Sequence, residues 1–429
     1  MLNVAYLANI FPSPVEPYVR EEIGELRQRG VQVIAGSVTS PAEDQVFAGD
    51  EDSPDIVLRP LSAFLIAKAV WLCLRRLHQI APIVGRILFH GTEGPIKRIK
   101  ALAHTLLGAC YASLLEGREI DHIHVHHGYF GSWVGMVAAR LLHTTFSMTL
   151  HGSDLLLRAN YLDAKLKNCS FCLTVSEYNR RYIEEHYPDI DPAKVIVRRL
   201  GVDVEVAPAY LSAPANDHPL SILAVGRLHP VKDHAFLIRA CAQLKAHGVL
   251  FECPIAGDGP LRSNLESQIR KAGLEERVTL LGHVPRSQMD SLYHRADLVV
   301  LTSRSEGLPL VLMEAMAHAK IVLAPAITGI PELVIGGQTG FLYEPGSIGD
   351  FVAQILFIHS LMQAQHHSGL HPHIRSHARQ LEWMRHAARV QVRHNFNRTQ
   401  NLNSFADVFL QRIAPRPERI HENFVLQQI

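Results

Sequence analysis

Two glutamates eight residues apart, Glu306 and Glu314, close the run Ser303-Arg-Ser-Glu-Gly-Leu-Pro-Leu-Val-Leu-Met-Glu314. Each carboxylate accepts hydrogen bonds from two hydroxyls, so the pair suits two parts of one extended, hydroxyl-rich ligand. Two cations five residues apart, Arg227 and Lys232 in Val225-Gly-Arg-Leu-His-Pro-Val-Lys-Asp233, can bracket a diphosphate, the arginine bidentately. His151, in Thr149-Leu-His-Gly-Ser-Asp154, is a candidate to position a reacting group, and Asp154 reads as a helix N-cap. His122, His124 and His126 alternate on one strand face, a spacing open to metal ligands but read here as structural or cleft-lining. Cys169 and Cys172 form a lone Cys-x-x-Cys leading into an apolar run, and read as buried free thiols.

The elements that must position these residues alternate between strand and helix. Strands are expected at 3–8, 31–35, 122–126, 146–150, 171–175 and 195–197, with a helix at 19–29 and helices filling 61–116. A second series follows Pro214. Its strands fall at 221–225, 251–256, 278–281, 298–301 and 321–324, and its helices at 233–247, 260–272, 288–294, 309–318 and onward from 330. Such alternation argues for an α/β fold of two parallel-sheet, Rossmann-like domains facing across a cleft. Ligands in such sheets sit beyond the carboxyl ends of the strands. Pro309 suits the first turn of its helix, whose free N–H groups favour a diphosphate. The expected division is 1–205, 206–385, and a helical tail over 386–429 that packs back on the first domain. From His366 the chain is rich in His and Arg, and reads as helices on the outside.

Composition narrows the classes. With 429 residues, 47% hydrophobic and 19% charged, the chain can build sizeable cores and is not disordered. A net charge of +1 offers no global field for nucleic acid. Six cysteines are too few for a disulfide scaffold and fit a reduced, cytoplasmic setting. The N-terminus carries no basic-then-apolar leader pattern, and the most apolar segment, 61–74, is too short to span a bilayer. The chain is therefore expected to be soluble or peripheral at the inner face of the plasma membrane. Residues 61–116 interleave Leu, Ile and Trp71 with Arg75, Arg76, Arg86, Lys97, Arg98 and Lys100, a pattern shared by anionic-membrane surfaces and ordinary core-facing helices.

The Glu-x7-Glu arrangement, with Gly-Leu-Pro inside it and Met-Glu-Ala-Met-Ala after it, resembles the signature of glycosyltransferase family 4. The resemblance spans roughly residues 1–360 and is strongest over 220–345. It implies a retaining GT-B enzyme that moves a sugar from a nucleoside-diphosphate-sugar to an acceptor hydroxyl, in exopolysaccharide, lipopolysaccharide or glycolipid synthesis. It implies no bound metal and no cofactor beyond the substrate. Glu306 would contact the donor sugar, Glu314 the ribose, and Arg227 and Lys232 the phosphates, although Asp233 stands where the family usually has Gly. Gly226, Gly307, Leu308 and Pro309 would line the donor site. Gly257, in Ile255-Ala-Gly-Asp-Gly, would shape it near the phosphates, and His283 and Val284 would meet the base. His151 would lie near the reacting sugar and count with Glu306 as catalytic. The loop Pro12-Ser-Pro-Val-Glu-Pro-Tyr-Val19 resembles exopolysaccharide members and would turn Glu16 to the acceptor, a saccharide or lipid-linked saccharide. Two rivals share the pattern in part: a GT-B sugar-nucleotide epimerase, which needs no acceptor, and a non-catalytic sugar-binding protein, which needs no phosphate ligands.

Overall fold

The computed structural model describes residues 2–13, 16–40, 53–89, 93–157, 160–205, 218–366 and 372–414. The chain divides into two units, one of residues 1–175, 180–198 and 402–429, the other of 176–179 and 199–401. The boundary expected at 205/206 abuts residues outside those described, as do parts of the loop around Pro14 and of the tail.

Through residue 198 the elements are β1 (Asn3–Ile10), α1 (Pro17–Gln28), β2 (Gln32–Thr39), β3 (Ile56–Val57), α2 (Ala63–Arg75), α3 (Leu77–Leu88), α4 (Pro95–Leu115), β4 (His122–His126), α5 (Phe130–Leu142), β5 (Thr145–Leu150), α6 (Ser153–Leu156), α7 (Leu162–Asn168), β6 (Phe171–Thr174), α8 (Glu177–His186) and β7 (Val195–Val197). The strands form one parallel sheet in the order β3-β2-β1-β4-β5-β6-β7. Both faces are covered, which is why its strands are apolar almost throughout. α1 buries Val19, Glu22, Ile23 and Leu26, a helical stripe that includes one acid.

Then follow β8 (Leu220–Val225), α9 (His234–Ala246), β9 (Phe251–Ala256), α10 (Arg262–Lys271), β10 (Val278–Gly282), α11 (Arg286–Arg295), β11 (Leu298–Val300), α12 (Leu310–Ala317), β12 (Ile321–Pro325), α13 (Ile330–Leu333), β13 (Phe341–Tyr343), α14 (Ile348–His366), α15 (Pro372–Asn395) and α16 (Arg398–Ile413). These strands make a second parallel sheet, β10-β9-β8-β11-β12-β13.

Two short strands, β3 and β13, escape the sequence reading, and the helix expected from Ile330 is a single turn. The tail helices pack on the cores by one apolar face each and leave the other faces exposed. α15 buries Leu381 and Met384 in one core of the second unit and Ala388 and Val392 in the other. α16 returns to the first unit, where Phe405, Ala406 and Phe409 join Tyr6, Val33 and Phe171 in a core. Fully burying a side chain such as Phe409 stabilises by about 1.5–3 kcal/mol, enough to dock the helix.

Candidate active site

In the second sheet β8 and β11 are hydrogen-bonded neighbours whose connections run to opposite sides, making a topological switch point. The loops leaving their carboxyl ends carry the cations and the carboxylates. Lys232 Nζ donates to Glu306 Oε1 at 2.5 Å, joining residues 74 apart, with side-chain exposures of 20% and 12%. The loops are laced together around that pair. Arg304 N donates to Val231 O at 2.8 Å and Thr302 Oγ1 to Lys232 O at 2.9 Å.

Asp233, standing where the resemblance expects glycine, takes a left-handed conformation with φ 46°. The strain of a non-glycine residue there is offset twice. Its side chain accepts from Phe236 N at 3.3 Å as the N-cap of α9 and from Arg304 Nε at 2.7 Å. The carbonyl of Glu306 accepts from Thr328 Oγ1. Gly226 and Gly257 pack backbone against backbone: a Cβ on Gly257, whose φ is 144°, would meet Gly226 O at 2.1 Å. Pro309 lies one residue outside α12 as its N-cap, not in the first turn, and Leu310 begins the helix.

Glu314, on the second turn of α12, accepts from Tyr293 Oη at 2.7 Å. Burial raises the Glu314 carboxyl above its ordinary value, and the Tyr293 hydrogen bond opposes that rise. Burial, with Glu314 alongside, pushes the Tyr293 phenol well up, so it stays a donor. The Tyr293 ring stacks on His318 at 5.2 Å between centroids. Arg227 and His283 are exposed, Val284 is half-buried, and Gly307 and Leu308 are buried.

In the first sheet the switch point lies between β1 and β4. Glu16, after β1, reaches His127, after β4: Glu16 Oε1 lies 2.9 Å from His127 Nε2. Asp154 Oδ2 lies 3.6 Å from His127 Nδ1. Desolvation works against charge on His127, but the adjacent Asp154 and Glu16 carboxylates prevail and raise its pKa to about 10. Asp154 is not an N-cap. That position is Gly152, and the Asp154 carboxylate instead accepts from the backbone of Gly128, His151, Gly152 and Leu155, tying two strand-to-helix loops together. The neighbouring His127, with His151 and the Gly128 backbone, holds that carboxyl well below the usual carboxylate range despite its burial. His151 stacks on Tyr18 at 4.6 Å, and desolvation keeps its imidazole neutral.

The three strand histidines are buried in a ladder with β5. His122 bonds Thr145 and Ser147, His124 bonds Ser147 and Thr149, and His126 bonds His151 and Glu22. Desolvation lowers His122 to about 3 and takes His124 well below its ordinary value. Single ligand atoms of Glu22, His124 and His126 fall within 4.8 Å of one another, yet every ring nitrogen of the two histidines already has a hydrogen-bonding partner. Cys169 and Cys172 are buried free thiols, raised by that burial.

The structure thus brings Lys232 to Glu306, and Gly226 to Gly257, within the second unit, and Glu16 to the neighbourhood of His151 through His127 within the first. Sequence reading missed Tyr293, His127 and Glu22. Only Glu22 carried a signal, being an acid at an apolar position of the α1 stripe.

Residues 15–206 match the family described as Glycosyltransferase Family 4, and residues 212–368 the one described as Glycosyl transferases group 1. The chain is 30% identical over 293 residues to the amylovoran biosynthesis glycosyltransferase AmsK of Erwinia amylovora, covering 65% of this chain and 72% of that protein. It is 37% identical over 157 residues to the putative colanic acid biosynthesis glycosyltransferase WcaL of Salmonella typhimurium, a match covering 35% of this chain and only 38% of the WcaL length. Among solved structures, sucrose-phosphate synthase from Thermosynechococcus elongatus aligns over 96% of this chain and all of its own, at TM-score 0.72 and 17% identity. HepE of Anabaena, in complex with UDP and glucose, aligns over the same shares at TM-score 0.65 and 18% identity. At such identities the structural likeness concerns the fold, which is GT-B, with two Rossmann-like parallel-sheet domains. From the paired family matches and the similarity to AmsK along most of its length, the chain belongs to glycosyltransferase family 4.

Proposed function

We propose that this protein is a retaining glycosyltransferase that moves a sugar from a nucleoside-diphosphate-sugar to an acceptor hydroxyl in exopolysaccharide, lipopolysaccharide or glycolipid synthesis. The observation that carries the reading is the Lys232–Glu306 pair at a strand switch point, with Glu314 on the second turn of α12. It supplies a cation for the diphosphate and carboxylates for sugar and ribose hydroxyls. Arg227, Lys232 and the first N–H groups of α12 stabilise the departing diphosphate without a bound metal. Gly226, Gly257, Gly307, Leu308 and Pro309 let that ligand approach the backbone, and His283 and Val284 meet the base. His151 acts on the reacting sugar and Glu16 on the acceptor.

The curated relatives and solved neighbours described above support a transferase over an epimerase or a non-catalytic binder: WcaL and AmsK are named as glycosyltransferases, and HepE was solved with UDP and glucose. A thermal-shift panel of nucleotides, nucleotide-sugars and free sugars tests the donor side. Stabilisation by one nucleoside diphosphate and its sugar is expected, and stabilisation by free sugar alone would refute it.

A peripheral, inner-membrane location is the second part of the proposal, for an acceptor that is a saccharide or lipid-linked saccharide. No helix among the described residues is long and apolar enough to cross a membrane. The helices α2–α4 expose Phe64, Trp71, Leu74, Phe89, Ile96 and Ile99 beside exposed Arg75, Lys97 and Lys100. Their acids Glu93 and Glu116 are paired with Arg86 and Lys68. Exposed apolar side chains interspersed with Arg75, Lys97 and Lys100, which have no ion pair among the described residues, suit an anionic bilayer. Co-sedimentation with anionic liposomes at low salt is expected to fall away in Trp71→Ser/Lys97→Glu, and no sedimentation of the wild type would end this part.

A further inference from the structure

One acid of α1 and one imidazole of the β4 ladder remain unexplained by the fold. Glu22 lies in the apolar stripe of its helix, 6% exposed. Its Oε2 lies 2.9 Å from His126 Nε2, and the Tyr6 hydroxyl donates to the same oxygen. On its other side His126 Nδ1 lies 3.0 Å from His151 Nε2. His126 is fully buried and His151 is only partly so, so the chain of contacts runs from the interior outward.

The protons along this chain follow from what each atom can offer. Burial keeps the Tyr6 phenol protonated, and its hydrogen goes to Glu22. His126 Nε2 therefore faces two oxygens that can only accept, the Glu22 carboxylate and the Tyr6 oxygen at 3.1 Å, and must carry the hydrogen itself. An imidazole that carries its one hydrogen on Nε2 has its lone pair on Nδ1, where it can only accept, so His151 must donate from Nε2. That leaves His151 Nδ1 as an acceptor.

We propose that Glu22 and His126 are positioning residues that fix His151 as the Nε2–H tautomer, with Nδ1 a neutral acceptor suited to a sugar hydroxyl. This rests on the reading that His151 acts at the sugar. The role parallels carboxylates that set the tautomer of catalytic imidazoles, where disturbance costs rate far more than fold.

Long-range proton–nitrogen correlation of the full chain labelled with 15N-histidine tests it, the His151 signals being assigned by their loss in His151→Gln. The wild type is expected to show His151 with bare Nδ1 and protonated Nε2. In Glu22→Gln, whose amide can also donate, a second His151 tautomer is expected, with kcat reduced by about tenfold to a hundredfold and donor KM little changed. His151 protonated on Nδ1 in the wild type would overturn the proposal. So would an unchanged His151 spectrum in Glu22→Gln, whatever the activity. If Glu22→Gln fails to fold, the wild-type spectrum decides alone. If His151 shows the expected tautomer but His151→Ala transfers sugar normally, the functional reading of His151 fails and the relay stands.

Discussion

Removing either partner of the Lys232–Glu306 pair should destabilise the second unit, and removing both should not. The two side chains are 20% and 12% exposed and meet at 2.5 Å, so neither is solvated well enough to stand alone. Deleting one partner of a fully buried pair costs about 3–5 kcal/mol, and an exposed pair is worth about 0–1 kcal/mol. The intermediate exposure places each single change, Lys232→Met or Glu306→Gln, near about 2 kcal/mol. Glu306→Gln keeps a hydrogen-bond acceptor and should be the milder of the two. For a unit of this size about 2 kcal/mol corresponds to a Tm change of about 4–8 °C. The double variant leaves no uncompensated charge and should recover most of the loss, giving a coupling of about 1–2 kcal/mol. Thermal unfolding of the four proteins without ligand, followed by a probe in the second unit, reads this directly. Donor affinity should fall in all three variants, because phosphate and sugar contacts go with the side chains. Strictly additive Tm changes, or single variants as stable as the wild type, would refute the argument that donor-free protein holds these groups against each other.

Tyr293→Phe removes the hydrogen bond that opposes the rise of the Glu314 carboxyl, so that group should protonate at higher pH than in the wild type. Nucleotide affinity measured by titration should accordingly weaken earlier as pH falls, and an unchanged pH profile would separate Tyr293 from the ribose carboxylate. The folded-state pKa of His127, about 10, lies above its unfolded value near about 6.5. Its contribution to stability is therefore full below about pH 6.5 and lost as pH rises through 10. The Tm gap between wild type and His127→Gln should shrink steadily from pH 7 to 10, and a constant gap would deny the charged pairing. Gly257→Ala should cost more than about 2 kcal/mol in urea unfolding, since its Cβ would lie 2.1 Å from Gly226 O at a φ of 144°. A loss under about 0.5 kcal/mol would show that the two turns can separate freely.

How much of this was legible in the sequence depended on the range of the interaction concerned. Buried strands such as Leu298–Val300 and His122–His126 were readable because continuous apolar or alternating runs end in turn residues. β3 and β13, of two and three residues, are too short to show any period, and the register of their neighbours creates them. Glu306 and Glu314 stood out because strand, loop and helix follow one another locally. Lys232 stood out as a cation for phosphate but not as the partner of Glu306, and Tyr293 did not stand out at all, because sheet order and helix packing, not spacing, set those meetings. Asp154 was misread for a related reason. A short-range rule favours capping, but four backbone donors converge on its carboxylate from two loops. The tail helices looked external because their charge is dense, yet one narrow apolar face on each is buried.

The central claim concerns transfer from a nucleotide-sugar through Glu306. The direct measurement incubates the protein with a panel of nucleotide-sugars and an extract of lipid-linked saccharides, and quantifies nucleoside diphosphate and glycoside together. One donor is expected to yield both in equal amounts, with the anomeric configuration retained, and Glu306→Ala to lower the rate at least about a hundredfold. Conversion of the donor with no acceptor, or undiminished transfer by Glu306→Ala, would contradict the claim.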